Sequence, residues 1–250
     1  MKLGDFSDLA ENYAKYRPGY SPFILNVVRA FLPDKPRVAD VGAGTGIWTR
    51  MLIAKDCLVT AVEPNDEMRK EGELQTPGIH WVGASAEETT LPDNAFDMVS
   101  MASSFHWPDF AKAVAEFDRI TKPGGCFMAL WNTRHIETSP LLMDIENTLL
   151  SLVPELKRVS SGKSEFCNNL QGKLASESAF SEVLYLEGFH TELQTPEHYI
   201  GLWKSVNDVR VQAGETRFAA FMDYVRKKIA HLPHIEAEYR TRAWLARKPE

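Results

Sequence analysis

The segment from Val38 to Thr49 reads VADVGAGTGIWT, and it places three glycines two residues apart directly after an apolar run. The run before Gly42 predicts a short buried strand, and Ile47 begins a stretch with helical character. Glycine at such a turn lets the backbone bend sharply and lets a ligand lie against bare main chain. The segment therefore predicts a strand, a ligand-binding loop and a helix.

The same strand-to-helix rhythm continues along the chain. Short apolar runs at 38–42, 57–63, 79–84, 96–103 and 126–132 predict strands, and helical patterns at 47–55, 66–74 and 109–121 lie between them. Strands that alternate with helices form right-handed crossovers in a mostly parallel sheet with both faces covered. The fold class is therefore α/β and doubly wound.

The segments outside this core predict additions to it. Phe6, Leu9, Tyr13 and Tyr16 recur at helical spacing, and Ser21-Pro22 begins a second helix. Residues 139–157 and 196–230 have helical patterns, whereas 158–178 is polar and predicts a loop. Two final strands are expected within 181–194 and 235–248. In the second of them apolar and polar residues alternate, which predicts an antiparallel last strand with one solvent-exposed face.

We therefore predict one domain over 1–250, built on a seven-stranded sheet. Its parts are N-terminal lid helices at 1–33, a cofactor-binding core at 34–135, helical cap insertions at 136–180 and 195–234, and the last strands.

Composition limits the function classes. The 250 residues are 44% hydrophobic and 25% charged, with a net charge of −6. An acidic chain is a poor candidate for binding nucleic acid, which needs a basic surface. No apolar stretch approaches the ~20 residues of a membrane span, so no stable membrane insertion is expected. Three cysteines without a metal-binding spacing predict free thiols in the cytoplasm and no metal. The oligomeric state is open, with a monomer favoured.

An acid at the end of the next strand indicates the ligand. Glu63 ends the second strand, where a carboxylate can hold two ribose hydroxyls. The dinucleotide pattern GxGxxG fails, because its last position is Ile47 or Thr49. A GxxxxGK[ST] phosphate loop is absent as well. The loop together with Glu63 therefore predicts an adenosine-containing ligand that is not a nicotinamide dinucleotide.

Several motifs now resemble one family. VADVGAGTGIWT is similar to the first motif of class I S-adenosylmethionine-dependent methyltransferases, and VEPN is similar to their second-strand acid. GASAEETTLPDNAFDMV resembles their third and fourth motifs, and ITKPGG resembles the turn into their fifth strand; together the motifs cover roughly 37–131. His106-Trp107 and the opening segment FSDLAENYAKYRPGYSP resemble the methyltransferase type 11 subgroup that includes trans-aconitate methyltransferase.

The resemblance implies a cofactor, S-adenosyl-L-methionine, and a set of residues that bind it. Asp40 would orient the glycine loop and the methionine ammonium; the alternative is that it only caps the turn. Met68 would pack on the adenine or simply belong to the helix core. The expected cofactor-binding residues are Asp40, Gly42, Ala43, Gly44, Glu63, Pro64, Met68, Ser85, Ala86, Ser103, and the lid residues Tyr13 and Arg17.

The reacting end is expected after the fourth strand. A methyl acceptor would be a small molecule, bound by Phe105, His106, Trp107, Trp131 and Arg134. His106 is the candidate general base for a hydroxyl or carbon acid, whereas a carboxylate acceptor needs no base; a structural histidine is the alternative. Arg134 would meet an acidic substrate or lie in a solvated loop. Oxygen is the predicted acceptor atom, and the alternatives are C-methylation of a quinone-like or lipid acceptor and a catalytically silent cofactor-binding regulator.

Overall fold

A seven-stranded sheet organises the computed structural model, which describes residues 9–158 and 162–250. The strand order is β3-β2-β1-β4-β5-β7-β6. The strands are β1 Arg37–Val41, β2 Leu58–Val62, β3 His80–Val82, β4 Phe96–Ala102, β5 Thr121–Arg134, β6 Ser181–Gln194 and β7 Ile235–Arg247.

The first five strands are parallel, and β7 runs antiparallel to both β5 and β6. This arrangement confirms the predicted doubly wound sheet with an antiparallel last strand. Because β1, β2 and β4 are parallel neighbours, their carboxyl ends meet at one edge, where open α/β sheets bind ligands. Strands β2 and β3 lie on one side of β1, and β4 lies on its other side. The order in which the chain adds strands to the sheet therefore reverses at β1.

Nine helices are defined in the described residues. They are α1 Ala10–Tyr16, α2 Pro22–Ala30, α3 Ile47–Ile53, α4 Asp66–Gln75, α5 Phe110–Ile120, α6 Pro140–Leu152, α7 Glu165–Ala175, α8 Pro196–Lys204 and α9 Asn207–Ile229. Side chains of Asn65 and Asp109 accept hydrogen bonds from the backbone at the start of α4 and α5, as N-caps do. Phe6, which the helical spacing included, lies outside the described residues.

Apolar side chains form three clusters. One cluster packs α5 and α7 on one face of the sheet, and a second packs α2 and α3 on the other. The third joins α6, α8 and α9 into a helical cap. No helix in the described ranges has both the length and the apolar character needed to cross a membrane.

The loop predicted at 158–178 is wrong over residues 165–175, and residues 159–161 lie outside the described part of the chain. Residues Glu165–Ala175 form α7, which Ser164 caps by accepting a hydrogen bond from the Cys167 backbone N–H. Leu170 and Leu174 are fully buried against the sheet. Only one narrow stripe of this polar segment is apolar, so its composition hid a helix that tertiary packing stabilises. α7 therefore belongs to the sheet cluster, although it lies within the segment predicted as cap.

Candidate active site

The glycine loop turns sharply at the carboxyl end of β1. Gly42, Gly44 and Gly46 all have positive φ angles, of 63°, 59° and 76°. A Cβ atom on Gly42 would lie 2.7 Å from Ser104 Oγ, which follows β4. The loop therefore needs glycine both for its backbone conformation and for its close approach to the neighbouring strand.

Glu63 lies beside this loop at the end of β2. Its carboxylate accepts hydrogen bonds from the Gly44 N–H at 2.8 Å and the Asn65 N–H at 2.9 Å. Burial raises the pKa of Glu63, and the two backbone donors oppose that shift. Each carboxylate oxygen keeps a second lone pair, so Glu63 can hold the loop and still accept from a ligand.

The backbone amides of the loop are occupied by protein acceptors. Ala43 N–H donates to the Val62 carbonyl at 3.0 Å, and Gly46 N–H donates to the Ala43 carbonyl at 2.9 Å. A phosphate-binding loop instead points its amides at the ligand. Because the Glu63 carboxylate also faces Gly44, a pyrophosphate would meet negative charge here. The loop suits a ligand without phosphate.

A cavity of about 300 Å³ opens at this edge of the sheet. It is large enough for a small-molecule ligand. The residues that line it are Tyr13, Tyr20, Gly42, Ala43, Gly44, Ile47, Trp48, Glu63, Pro64, Asn65, Met68, Ser85, Ala86, Glu87, Met101, Ala102, Ser103, Ser104, Trp107 and Pro108.

The charge of this cavity favours a cation. Glu63 and Glu87 contribute carboxylates, and no lysine, arginine or histidine is present among the described lining residues. Opposite charges attract strongly in a partly buried site. S-adenosylmethionine carries a sulfonium, an ammonium and one carboxylate but no phosphate, so the cavity fits it better than a nucleotide.

The segment that forms this cavity is similar to a known protein family. Residues 39–129 match the family model described as "Methyltransferase domain". This segment of the chain is similar to methyltransferase domains. The matched segment contains most of β1 and all of β2 and β4, the strands whose ends form the cavity.

Individual relatives extend the comparison. An uncharacterized methyltransferase of Mycobacterium bovis is 37% identical over 130 residues, which are 52% of this chain and 52% of that protein. A ubiquinone/menaquinone biosynthesis C-methyltransferase of Psychromonas ingrahamii is 32% identical over 140 residues, or 52% of this chain and 55% of that protein. The chain thus spans about half the length of the curated relatives it matches.

A solved structure shows the fold over nearly the whole chain. A putative type II methyltransferase from Anaeromyxobacter dehalogenans superposes with a TM-score of 0.67 at 20% identity, covering 94% of this chain and all of that one. The seven-stranded methyltransferase fold, including the segments outside 39–129, is therefore shared with solved methyltransferases.

Asp40 lies beneath the glycine loop and is not among the described residues that line the cavity. Its side chain is fully buried, and it accepts hydrogen bonds from Thr49 Oγ1 at 2.5 Å and Ser100 Oγ at 3.4 Å. These bonds tie β1 to α3 and β4, so Asp40 orients the loop from its base. Burial raises the pKa of Asp40 to about 7, and the bonds from Thr49 and Ser100 lower it.

Asp40 should make stability depend on pH. Its pKa in the folded protein lies above that in the unfolded chain, so the folded state binds more protons between pH 4 and 7. The free energy of unfolding should therefore fall by up to about 3 kcal/mol from pH 5 to pH 8. Asp40→Asn should flatten this slope in denaturant titrations at both pH values. Equal slopes in the two proteins would contradict the raised pKa.

Most of the residues predicted to bind the cofactor meet at the cavity. Its lining includes the following residues from the sequence prediction: Tyr13, Gly42, Ala43, Gly44, Glu63, Pro64, Met68, Ser85, Ala86 and Ser103. Met68 is 5% exposed, so its burial against the helix and its place on the cavity wall are compatible. Trp107, predicted to contact substrate, also lines the cavity and is 43% exposed.

Arg17, predicted as a lid residue, is not among the described residues that line the cavity. Its guanidinium donates to Ser205 Oγ at 2.9 Å and to the Ser205 carbonyl at 3.0 Å, at the end of α8. It also stacks over the ring of Tyr13, 4.8 Å from the centroid. Arg17 therefore fastens α1 to the helical cap, and Tyr13 on the same helix reaches the cavity.

Tyr16 continues this contact between α1 and α8. Its ring lies so close to Gly201 that a Cβ atom there would overlap it, and its carbonyl is 3.0 Å from His198 Nε2. We expect Gly201→Val to displace α1 and to raise the dissociation rate of S-adenosylhomocysteine by about tenfold, measured by stopped-flow fluorescence. Gly172→Val, on an exposed face of α7, is the control. An unchanged rate would show that α1 does not cover the cofactor.

Tyr20 is a cavity residue that the sequence analysis did not identify. Its hydroxyl donates to Ser103 Oγ at 2.9 Å, and its ring packs edge-on against Trp48. The preceding Gly19 carbonyl accepts a hydrogen bond from Asn132 Nδ2 at 2.8 Å. Tyr20 lies just before the predicted start of a helix at Ser21-Pro22, and no local signal in the sequence placed it over the end of β4.

His106 is positioned as a hydrogen-bond acceptor toward Trp131. Trp131 Nε1 donates to His106 Nδ1 at 3.4 Å, so the proton of the neutral ring lies on Nε2. Burial lowers the pKa of His106 to about 4. His106 is absent from the cavity lining, and Nε2 is buried without a partner in the described part of the chain. This geometry does not favour His106 as a general base.

Replacing His106 tests that conclusion. His106→Gln should reduce the rate of methyl transfer by far less than the ~100-fold expected for loss of a general base. Because its pKa is about 4, the wild type should show no inflection in kcat/KM from this ring between pH 6 and 8. A rate profile that rises near pH 6.5 in the wild type and is flat in the variant would restore His106 as the base.

Three further predicted substrate residues lie elsewhere. Phe105 is fully buried among phenylalanine rings of the sheet cluster, including Phe117 and Phe127. Trp131 is 1% exposed and lies behind His106. Arg134 is stacked on Trp203 at 3.9 Å. None of the three lines the cofactor cavity, because strand alternation and packing turn their side chains away from it.

Proposed function

We propose that this protein transfers a methyl group from S-adenosylmethionine to an oxygen of a small-molecule acceptor, with a carboxylate as the favoured oxygen. The proposal rests on the methyltransferase domain and on the chemistry of the cavity wall. The acidic chain, with a net charge of −6, favours a small molecule over nucleic acid. Three buried free cysteines suit a reducing cytoplasm.

The cavity residues divide between the parts of the cofactor. Glu63 accepts hydrogen bonds from the two ribose hydroxyls, and Gly42, Ala43 and Gly44 let the methionine portion lie against main chain. Asp40 acts from below by fixing the loop. Met68 packs on the adenine, and Ser85 and Ala86 lie at its edge.

Glu87 offers a further acceptor at the adenine end. It lines the cavity two residues after Ser85, and its carboxylate accepts from the Asp109 N–H at 2.9 Å. A carboxylate oxygen has room for a second donor such as an exocyclic amino group. The sequence analysis did not identify Glu87, which stands in an acidic pair with no pattern of its own.

The cofactor supplies an electrophilic methyl group on a sulfonium that is already a good leaving group. The protein's part is then to align the acceptor and to exclude water. Tyr20 and Trp107 supply aromatic walls beside Ser103 at the end of β4, and Tyr13 of α1 covers the cavity.

One observation carries the choice of acceptor. The titratable residues in the described lining are Tyr13, Tyr20, Glu63 and Glu87. Burial raises the pKa of Tyr20 far above neutrality, so its hydroxyl stays protonated. Glu63 and Glu87 are assigned to the ribose and the adenine, away from the transferred methyl group, and His106 is turned toward Trp131. An acceptor that is ionised before it binds needs no base, and a carboxylate meets that condition.

A labelling experiment tests the proposed function. The protein is incubated with methyl-labelled S-adenosylmethionine and a metabolite extract, and the product is treated with mild alkali. A methyl ester releases labelled methanol, whereas an ether or a C-methyl product does not. Alkali-labile label is the expected result. Transfer of alkali-stable label would refute the carboxylate acceptor, and cofactor binding without any transfer would favour a silent regulator.

A second candidate is C-methylation of a quinone-like or lipid acceptor. The observation in its favour is the 32% identity to the ubiquinone/menaquinone biosynthesis C-methyltransferase of Psychromonas ingrahamii over 55% of that protein. Carbon methylation would need a base to remove a proton. Alkali-stable label in the lipid-extractable fraction is the outcome that would support it.

A further inference from the structure

A second cavity lies beyond the end of β5, and three of its four charged lining residues are cations. Its volume is about 180 Å³, and its lining residues are Thr133, Arg134, Ile136, Glu146, Arg158 and Lys163. Three cationic side chains thus face one carboxylate within the described lining. A cavity of this size has room for several atoms of a polar group.

Arg134 is the buried centre of this charge. Its side chain is 11% exposed, and its guanidinium stacks on Trp203 at 3.9 Å. Its polar contacts are long: the Tyr199 hydroxyl lies at 3.5 Å and the Glu146 carboxylate at 3.8 Å. A guanidinium has five N–H donors and stays charged in proteins. Arg134 therefore keeps donors that these contacts do not satisfy.

Glu146 does not neutralise both arginines. It lies 2.6 Å from Arg158 Nη1 and is the only carboxylate paired with Arg134 in the described chain. Arg158 has a second contact with Asp208 at 3.4 Å, and Lys163 pairs with Glu137 at the surface. Arg134 therefore shares its one ion-paired carboxylate with Arg158 and lies 3.8 Å from it, and a bound anion would complete this weak pairing of a buried cation.

The position of this cavity relates it to the methyl-transfer site. Ser103 N–H donates to the Leu130 carbonyl at 2.7 Å, so Ser103 is level with the last part of β5. Thr133 is three residues beyond Leu130 on the strand next to β4. At about 3.3 Å per residue, the two sites lie within roughly 10 Å along the strand direction. This separation is within the length of an extended small molecule.

We infer that the cavity beyond β5 binds an anionic group, a carboxylate or a phosphate, of the methyl acceptor. Arg134, Arg158 and Lys163 hold this group, while a separate oxygen of the acceptor takes the methyl group near Ser103. The inference rests on the proposed function and narrows its substrate class to acceptors that carry a second negative charge.

Binding is tested first with inorganic phosphate and with succinate. Each is titrated at constant ionic strength with chloride as the reference, in the presence of S-adenosylhomocysteine, and thermal unfolding is recorded. At least one of the two anions should raise the Tm of the wild type, because a ligand that binds the folded state stabilises it. Lys163→Gln should weaken this binding by about tenfold or more. Arg158→Lys, which keeps a charge but loses the planar guanidinium, should weaken it less for phosphate than for succinate.

The matched control is Arg226→Gln. Arg226 lies on α9 in the same cap and makes an exposed ion pair with Asp223, remote from the lining residues. The Arg226→Gln variant should bind phosphate and succinate with the same affinity as the wild type. Absence of any Tm shift in the wild type, or equal shifts in Lys163→Gln and the wild type, would overturn the site.

The acceptor link is tested with the labelled product. After transfer from methyl-labelled S-adenosylmethionine to a metabolite extract, the product is applied to an anion-exchange column at pH 7. A retained product is expected, and Lys163→Gln should lower its yield without changing the affinity for S-adenosylhomocysteine in calorimetry. A product that is not retained would refute the inference while leaving methyl transfer intact. If the wild type did not bind S-adenosylhomocysteine at all, the proposed function itself would be refuted.

Discussion

Replacing Glu63 by alanine should weaken binding of S-adenosylhomocysteine by at least about 100-fold in calorimetry. Two hydrogen bonds from ribose hydroxyls to a charged acceptor contribute about 1.5–3 kcal/mol each. The variant also removes the acceptor for the Gly44 and Asn65 amides, so the loop loses its support as well. Both effects act in the same direction.

The contrast with Glu63→Gln separates these two contributions. Glutamine keeps one oxygen, so it can accept from one of the two amides but cannot hold both hydroxyls with charged oxygens. The affinity of the Glu63→Gln variant for S-adenosylhomocysteine should lie between those of the wild type and Glu63→Ala. Glu73→Ala on α4, whose side chain is 52% exposed, should bind normally. Undiminished affinity in Glu63→Ala would refute the placement of the ribose, and with it the assignment of the cavity.

Gly42→Val should abolish cofactor binding and lower the free energy of unfolding by more than about 2 kcal/mol. Its φ of 63° costs a residue with a Cβ atom about 1–2 kcal/mol, and valine is stiffer than most. The added Cβ would also lie 2.7 Å from Ser104 Oγ and 2.9 Å from Ser104 Cβ. The backbone must then shift at the point where the methionine portion is proposed to lie.

Gly78→Ala isolates the backbone contribution. Gly78 has a φ of 86°, and nothing lies within 4 Å of the position its Cβ would take. The Gly78→Ala variant should lose about 1 kcal/mol of its free energy of unfolding, measured by denaturant titration, and should bind the cofactor normally. A Gly42→Val protein that still binds S-adenosylhomocysteine would show that the loop does not need a bare main chain.

Local sequence was sufficient to predict most of the residues that meet at the cavity. Strand ends, glycines and acids are encoded within a few residues of one another, and a parallel sheet necessarily brings the carboxyl ends of its strands to one edge. Gly42, Glu63 and Ser103 therefore lie on one cavity, as their positions in the pattern predicted.

Side-chain direction decided which of the predicted substrate-binding residues line the cavity. Phe105 and Trp131 lie near strand ends, as expected, but they point into the core. Arg17 follows the lid helix, yet it bonds to Ser205, 188 residues away in sequence. Such partners are remote in sequence, so no periodicity or motif indicates them.

The sequence by itself determined the doubly wound order of elements, the bare glycine turn and the acid at the tip of β2, because each depends on short-range steric and hydrogen-bonding preferences. Only the tertiary structure decided that α7 packs on the sheet, that Tyr20 covers the end of β4, and that Arg134, Arg158 and Lys163 share a cavity with one carboxylate. Those features depend on contacts between segments far apart in the chain, and the packing of the whole domain selects them.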